Sequence, residues 1–156
     1  MTVQVREAEQ KDIPDIVDLW EEFMEMLPRV NPDYWRAVDG GEAFSRYLKN
    51  HLRDTNVLVA VADTKGAGLA GFSLALIEVL PEWFGCEPIG LIRYQSVSEK
   101  CRGKGAGRAM TDFMMDWFRS KGISRVELYV LKGLPAYDYW SKIGFRDFMD
   151  RRFLEI

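Results

Sequence analysis

The sequence predicts an α+β (α/β) fold built around one mixed β-sheet. Short runs rich in β-branched residues alternate along the chain with segments whose apolar residues recur every three or four positions. The expected element order is β-α-α-β-β-β-α-β-α-β, with strand hairpins in the middle and helices between strands later. The sheet should therefore be antiparallel in its first part and parallel around the helix expected at residues 109–121.

A strand and a helix open the chain. Residues 3–7 alternate apolar and polar side chains as a short strand does, and Asp12 then stands where a helix N-cap is expected. Apolar residues at helical spacing follow. We expect this first helix to stop at Pro28, because a proline lacks the N–H that continues the hydrogen-bond ladder.

A loop and a second helix come next. Residues 29–41 contain proline and glycine and carry Tyr34 and Trp35. These two aromatic side chains either form one wall of a pocket or pack against the body of the protein. The spacing of apolar residues predicts a helix at residues 42–53.

The central strands are predicted by apolar and β-branched runs. Residues 56–62 and 69–79 read as a hairpin, and residues 89–97 as the next strand. This last strand carries Arg93 and Gln95, and polar residues in a central strand should face a partner or a ligand, because burying them unpaired is costly. The remaining expected elements are the helix at 109–121 ended by Gly122, a strand at 125–131, a helix at 135–143, and one or two closing strands within 145–156.

Length and composition limit the classes of protein. A chain of 156 residues has the size of one domain, and we expect a single folding unit over residues 1–156. No apolar run approaches the roughly 18 residues of a membrane span, and the N-terminus lacks the features of a signal peptide, so we expect a cytoplasmic protein. His51 is the only histidine and the two cysteines lack metal-ligand spacing, so we expect no metal and no Ser-His-Asp triad.

Charge is distributed unevenly along the chain. Residues 1–45 hold eleven acidic and four basic residues, so this segment carries −7 and the remaining chain +4, for a net charge of −3. An acidic half beside a basic half suits a cationic substrate and an anionic cofactor, although an ordinary solvated helix face explains the acidic residues equally simply. The acidic balance argues against nucleic-acid binding.

The glycine-rich turn at residues 102–108 is the clearest functional signal. It follows an apolar strand and leads into an amphipathic helix, so it aims backbone N–H groups and cationic side chains at one spot, as a phosphate-bearing ligand requires. The spacing does not fit a P-loop, and Met110 occupies the position where a dinucleotide fingerprint starting at Gly105 needs a small residue. The pattern that fits is Arg-x-x-Gly-x-Gly/Ala followed directly by a helix.

At these residues the chain resembles the GNAT superfamily of acetyl-CoA-dependent acetyltransferases. The turn matches the pyrophosphate-binding motif of that superfamily, and residues 139–145 look like its later aromatic-x-Lys-aliphatic-Gly-Phe motif. The resemblance covers nearly the whole chain. It implies a GNAT-like mixed central sheet of about six or seven strands with about four helices, splayed between the strands that end near Val97 and Leu131.

The resemblance also implies acetyl-CoA as co-substrate and a set of residues that bind it. Backbone N–H groups of the turn would cradle the pyrophosphate, and the pantetheine arm would lie in the gap between the splayed strands. The implied cofactor-binding residues are Gln95, Val97, Arg102, Gly103, Lys104, Gly105, Ala106, Gly107, Arg108 and Trp140.

The implied reaction is N-acetylation of a primary amine, on a small molecule or a peptide, by direct attack in a ternary complex. The Val97 backbone N–H would stabilise the oxyanion. The general acid is left open, because Trp140 stands where many members have a tyrosine. Tyr137 and Tyr139 are the candidates, although Tyr139 also belongs to an apolar stripe that suits core packing. Glu78 is the carboxylate candidate for the base, with a chain of waters to solvent as the alternative.

The sequence leaves an alternative function and the oligomeric state open. Gly133 stands where an asparagine is often found in the family, and with the replacement at Trp140 this favours a non-catalytic acyl-CoA-binding or regulatory module as the alternative function. We expect an amine partner, cationic in view of the acidic first half, and no nucleic-acid or membrane partner. Because members of the family often form dimers, a homodimer is a further possibility.

Overall fold

The computed structural model describes residues 3–34, 37–84 and 87–156. Its five-stranded sheet has the strand order β1-β2-β3-β4-β5. The first four strands pair antiparallel with their neighbours, whereas β4 and β5 are parallel, so the mixed sheet is confirmed. Of the two aromatic residues expected in the loop at 29–41, Trp35 lies outside the described residues. The strands are β1 (Gln4–Glu7), β2 (Val57–Asp63), β3 (Leu69–Glu78), β4 (Ile89–Val97) and β5 (Val126–Leu128), and the helices are α1 (Ile13–Val30), α2 (Gly40–His51), α3 (Ala106–Ser120) and α4 (Pro135–Lys142).

The sheet buries both of its faces. Successive side chains of a strand point to opposite faces, so Val59 and Val61 pack with α1 and α2, whereas Leu58 and Ala60 pack with α3 and α4. This two-sided burial explains why β2 reads as a continuous apolar run rather than an alternating one. In the described part of the chain, no helix has the length and apolar character needed to cross a membrane.

The parallel pairing between β4 and β5 is short. It runs only from Gly90 opposite Val126 to Ile92 opposite Leu128, while β4 itself continues to Val97. The two strands therefore part after Ile92, as expected for a sheet that splays toward Val97. The remaining part of β4 keeps its antiparallel partner β3 but has no neighbour on its other edge among the described residues.

The expected strand count of six or seven is wrong for the described residues. The strand expected at 125–131 is reduced to β5, and residues 145–156 form no strand. A strand needs a partner edge, and three paired residues of β5 offer too short an edge to build on. Side chains fix this final segment instead: Lys132 pairs with Asp150 at 2.9 Å, and the Arg125 guanidinium lies 4.6 Å from the ring centre of Phe148.

The first helix differs from expectation at both ends. Pro28 does not stop α1, which continues to Val30, because the last turn tolerates the loss of one backbone hydrogen bond. At the other end Asp12 occupies the N-cap position without capping the helix through its side chain. Its buried carboxylate instead accepts two hydrogen bonds from Arg6, at 2.7 and 2.9 Å, and one from the Glu9 N–H. Asp12 therefore ties β1 to the start of α1.

Candidate active site

The glycine turn forms an open end on α3. The helix begins at Ala106, three residues earlier than expected, with Gly105 as N-cap. Gly103 and Gly105 have φ of +72° and +87°, and a Cβ built on either would meet no atom within 4 Å. Because the first helical hydrogen bond is donated by the Ala109 N–H, the N–H groups of residues 106–108 have no partner within the helix. These N–H groups form the positive end of the helix dipole.

The cationic side chains of the turn are held by local contacts. Arg102 Nε donates to the Val97 carbonyl at 3.2 Å, and Lys104 Nζ to the Lys100 carbonyl at 2.9 Å. Arg108 pairs with Asp112 at 2.9 Å, which offsets part of its charge. All three cations are exposed. The binding of an anion by this turn, through its backbone N–H groups or through these side chains, stays a prediction.

Gln95 and Val97 use their side chains to seat α3 on β4. Gln95 Nε2 donates to the Gly107 carbonyl at 3.2 Å, and Val97 packs against the buried Ala106 and Met110. A Cβ on Gly107 would lie 3.6 Å from both Gln95 Nε2 and Val97 Cγ2, which is ordinary contact. The Gln95 and Val97 side chains therefore hold the start of α3 against β4. At these two positions the backbone of β4, not the side chain, faces the gap between β4 and β5.

The direction of the β4 backbone follows from one hydrogen bond. The Ser98 N–H donates to the Ala70 carbonyl at 2.9 Å, toward β3. Because N–H and C=O directions alternate along a strand, the N–H and carbonyl of Val97 point to the opposite edge, into the gap beside β5. Arg102 Nε donates a hydrogen bond to the same Val97 carbonyl, so the Arg102 side chain lies at the edge of this gap.

Thr111 is a site residue that sequence reasoning missed. It is buried on α3 one turn after Gly107, whose carbonyl accepts from its hydroxyl at 3.0 Å. The same oxygen lies 2.7 Å from the Tyr139 hydroxyl and 3.2 Å from Gln95 Oε1. The sequence feature that could have indicated this residue is a threonine hydroxyl among the apolar residues of the buried face of α3. Thr111 thus connects α4 to the start of α3.

The two tyrosines that are candidates for the general acid contact different neighbours. Tyr139 is half-buried against Thr111, whereas Tyr137 donates to both oxygens of Asp147 at 2.8 and 2.9 Å. That hydrogen bond raises the pKa of Tyr137 above its usual range. Trp140 is only 7% exposed and packs edge-on against Tyr139 at 5.0 Å, within the core under α3 and α4. Its direct contact with a cofactor stays a prediction.

Glu78 lies beside the part of β4 that still pairs with β5, whereas the gap opens after Ile92, and Gly133 lies near the end of α1. Glu78 is exposed at the end of β3, opposite Ile89, and by strand alternation shares the sheet face of Leu74 under α1 and α2. Gly133 has φ of +93°, and a Cβ there would lie 3.3 Å from Val30 Cγ1 at the end of α1. The left-handed φ disfavours a side chain at Gly133, and the contact with Val30 adds to this.

The residues present fit a coenzyme with a pyrophosphate. Unpaired N–H groups at an open helix end suit the phosphates, and unpaired backbone along the β4 edge suits the amides of an extended arm. The fold and the site thus suit a phosphate-bearing ligand lying across the gap between β4 and β5. A sequence profile of the acetyltransferase (GNAT) family matches residues 16–145. The protein belongs to this family of acyltransferase enzymes, which use acetyl-CoA.

Individual relatives agree with the family assignment. The chain is 36% identical over 63 residues to a mycothiol acetyltransferase of Acidothermus cellulolyticus, a stretch that covers 40% of this chain and 19% of that protein. It therefore spans about a fifth of the length of the curated relative it matches. Among solved structures, a predicted acetyltransferase of Clostridium acetobutylicum with acetyl-CoA superposes with a TM-score of 0.80 at 18% identity, covering 99% of this chain and 96% of that one. A putative acetyl transferase of Pyrococcus furiosus gives 0.78 at 19% identity, covering 99% and 100%.

Proposed function

We propose that this protein transfers the acetyl group of acetyl-CoA to a primary amine, on a small molecule or a peptide, by direct attack in a ternary complex. The observation that carries the proposal is the parting of β4 from β5 immediately before the open glycine turn. A pantetheine arm laid in this gap along the free edge of β4 would bring the thioester beside the backbone of that edge, which includes the Val97 N–H. Acetyl-CoA supplies the activated acetyl group when bound.

The chain's own groups have separate tasks in this reaction. The N–H groups of residues 106–108 hold the pyrophosphate, and the Val97 N–H, directed into the gap, binds the developing oxyanion. The amine approaches from the α1 and α2 side of the sheet. Holding amine and thioester in attack geometry accounts for much of the rate.

Tyr139 is the better candidate for the general acid. The proton of Tyr137 is committed to Asp147, and the raised pKa makes that phenol a weaker donor. Tyr139 instead belongs to the hydrogen-bond network that reaches the first turn of α3. Glu78, together with water, is proposed as the route by which the amine loses its proton.

The test is release of free thiol from acetyl-CoA by the purified protein. The acceptor panel contains polyamines, aminoglycosides, L-amino acids and peptides with free N-termini or lysines. The proposal predicts acceptor-dependent thiol release that exceeds the hydrolysis rate. Coenzyme A binding in calorimetry combined with silence across the whole panel would instead indicate a non-catalytic acyl-CoA-binding module.

A further inference from the structure

A β-bulge in β4 sets Arg93 apart from the rest of the strand. Leu74 of β3 lies opposite Tyr94, but its neighbour Ala75 lies opposite Ile92, so Arg93 is the extra residue without a partner on β3. Bulges of this kind redirect side chains and are common beside active sites. Here the bulge lies immediately after Ile92, the last residue of β4 that pairs with β5. Arg93 therefore stands where the gap opens.

Arg93 differs from the other arginines of the sheet and α3 in its lack of a counter-ion. Among the described residues its guanidinium forms no ion pair and no hydrogen bond, and the side chain is exposed. The other arginines of the sheet and α3 are paired with carboxylates, which are Asp12 and Asp63 for Arg6, Asp112 for Arg108 and Asp116 for Arg119. An unpaired cation in the middle of a central strand indicates a partner that arrives from outside the chain.

Three tyrosines lie on the side of the sheet that α1 and α2 cover. Tyr94 packs edge-on against Phe23 of α1 and Phe44 of α2, at 6.2 and 5.7 Å. Tyr34 follows α1, and Tyr47 lies on α2. No hydrogen bond to the hydroxyl of Tyr34 or Tyr47 occurs among the described residues, so both phenols remain available as donors.

The charge of Arg93 reaches both of these phenols. Burial raises the pKa of Tyr34 and of Tyr47, and the Arg93 guanidinium acts in the opposite direction on both. Arg151 from the C-terminal segment acts on Tyr34 in the same sense as Arg93, whereas Asp54 opposes it at Tyr47. Two arginines thus converge on Tyr34, which gives this corner a positive character despite the acidic sequence of the first 45 residues.

We propose that Arg93, assisted by the hydroxyls of Tyr34 and Tyr47, binds an oxyanion of the acceptor, so that the substrate carries a carboxylate or a phosphate besides its amine. This inference rests on the proposed function and names the substrate class of the same site. A planar guanidinium matches either oxyanion with two parallel hydrogen bonds, and the phenols complete the set of donors. The acidic first half of the chain remains compatible with such an acceptor, because its amine is a cation in solution.

The experiment compares acceptors that differ only in the anion. The carboxylate arm uses L-amino acids and β-alanine against their amides, and the phosphate arm uses 2-aminoethyl phosphate against 2-aminoethanol. Thiol release is measured for wild type, Arg93→Gln, Arg93→Lys and the control Arg119→Gln, an exposed arginine on α3. Binding of the same acceptors to coenzyme A-saturated protein is measured in parallel by calorimetry, so the result does not depend on turnover.

The expected result is a preference for one anionic arm that Arg93→Gln abolishes. Losing a charge-assisted pair should raise KM for the preferred acceptor by about 10- to 100-fold while kcat changes little. Arg93→Lys should restore part of the preference, and Arg119→Gln should leave it intact. Tyr47→Phe should weaken binding of the anionic acceptor by a smaller factor.

Different outcomes refute the inference and the proposed function. Acetylation of amines with no preference for an anion, or a preference that Arg93→Gln preserves, overturns the inference and leaves the acetyltransferase proposal standing. Coenzyme A binding without thiol release from any acceptor overturns the acetyltransferase proposal. In that case Arg93-dependent calorimetric binding of an anionic amine still supports the oxyanion subsite, and equal binding by wild type and Arg93→Gln rules it out.

Discussion

Replacing Gly105 by glutamate should strongly weaken coenzyme A binding while the protein remains folded. Gly105 caps α3 at φ +87°, beside the N–H groups assigned to the pyrophosphate. The hairpin glycine Gly68 provides a matched control at φ +84°, and neither position has an atom within 4 Å of an added Cβ. The two substitutions therefore impose the same backbone strain and introduce the same charge, but only Gly105→Glu does so at the proposed site.

The expected free energies distinguish the effect of backbone strain on stability from the effect of the new charge on coenzyme A binding. A left-handed conformation costs a non-glycine residue about 1–2 kcal/mol, so both variants should lose stability by that amount. Two like charges about 4 Å apart repel by about 1 kcal/mol in water and about 4 kcal/mol at the effective dielectric constant of a protein surface. Gly105 is exposed, so the lower part of this range applies to each phosphate. We therefore expect affinity for coenzyme A to fall by about 10- to 100-fold or more.

Calorimetric titration with coenzyme A, at low and high salt, measures this effect. The loss in Gly105→Glu should be partly recovered at high salt, because salt screens the repulsion. Gly105→Ala, which has the strain without the charge, should lie between wild type and Gly105→Glu. Equal affinities of Gly105→Glu and Gly68→Glu would place the pyrophosphate elsewhere and refute the reasoning.

Three further predictions concern the acid, the Asp12 network and Gly133. Tyr139→Phe should lower kcat by about 100-fold or more if this tyrosine is the general acid, whereas Tyr137→Phe should change kcat little; the reverse order in thiol-release kinetics would exchange their roles. Arg6→Ala should lower the free energy of unfolding by about 1.5–3 kcal/mol in urea titrations, because the buried carboxylate of Asp12 loses charge-assisted hydrogen bonds. Hydrogen bonds from Arg6 hold the pKa of Asp12 below its usual range, so this stabilisation is complete above about pH 4 and is lost as the pH falls further; a constant difference between wild type and Asp12→Asn from pH 6 to pH 2 would contradict it. Gly133→Asn should destabilise the protein by about 1 kcal/mol, since the position is left-handed and crowded, and an unchanged melting temperature would argue against that crowding.

The elements that the sequence predicted correctly are those with strong local signals. The expected strand at 89–97 coincides with β4, and Gly122 ends α3 with φ +74° while the Ile123 N–H donates to the Phe118 carbonyl at 3.0 Å. Both follow from a β-branched apolar run and from a glycine after an amphipathic stripe, which are properties of neighbouring residues. Local chemistry also sufficed to place the glycine turn at the start of a helix.

The wrong expectations concern features that depend on distant partners. Residues 145–156 were expected to form one or two closing strands, but a strand exists only where another strand offers its edge, and β5 is too short. Pro28 was expected to end α1, yet the helix continues to Val30, because Pro28 removes only its own N–H and the Asn31 N–H beyond it still donates to the Leu27 carbonyl. Neither outcome can be read from the residues concerned.

The sequence by itself determined the class of the fold, the glycine turn and the family resemblance, because these depend on residue types at fixed short spacings. Only the tertiary structure decided which groups face the gap. It turned Gln95 toward α3, joined Thr111 to Tyr139, and used a bulge opposite Leu74 to place Arg93 where β4 and β5 part. These arrangements arise from register and packing between segments far apart in the chain, which no local pattern records.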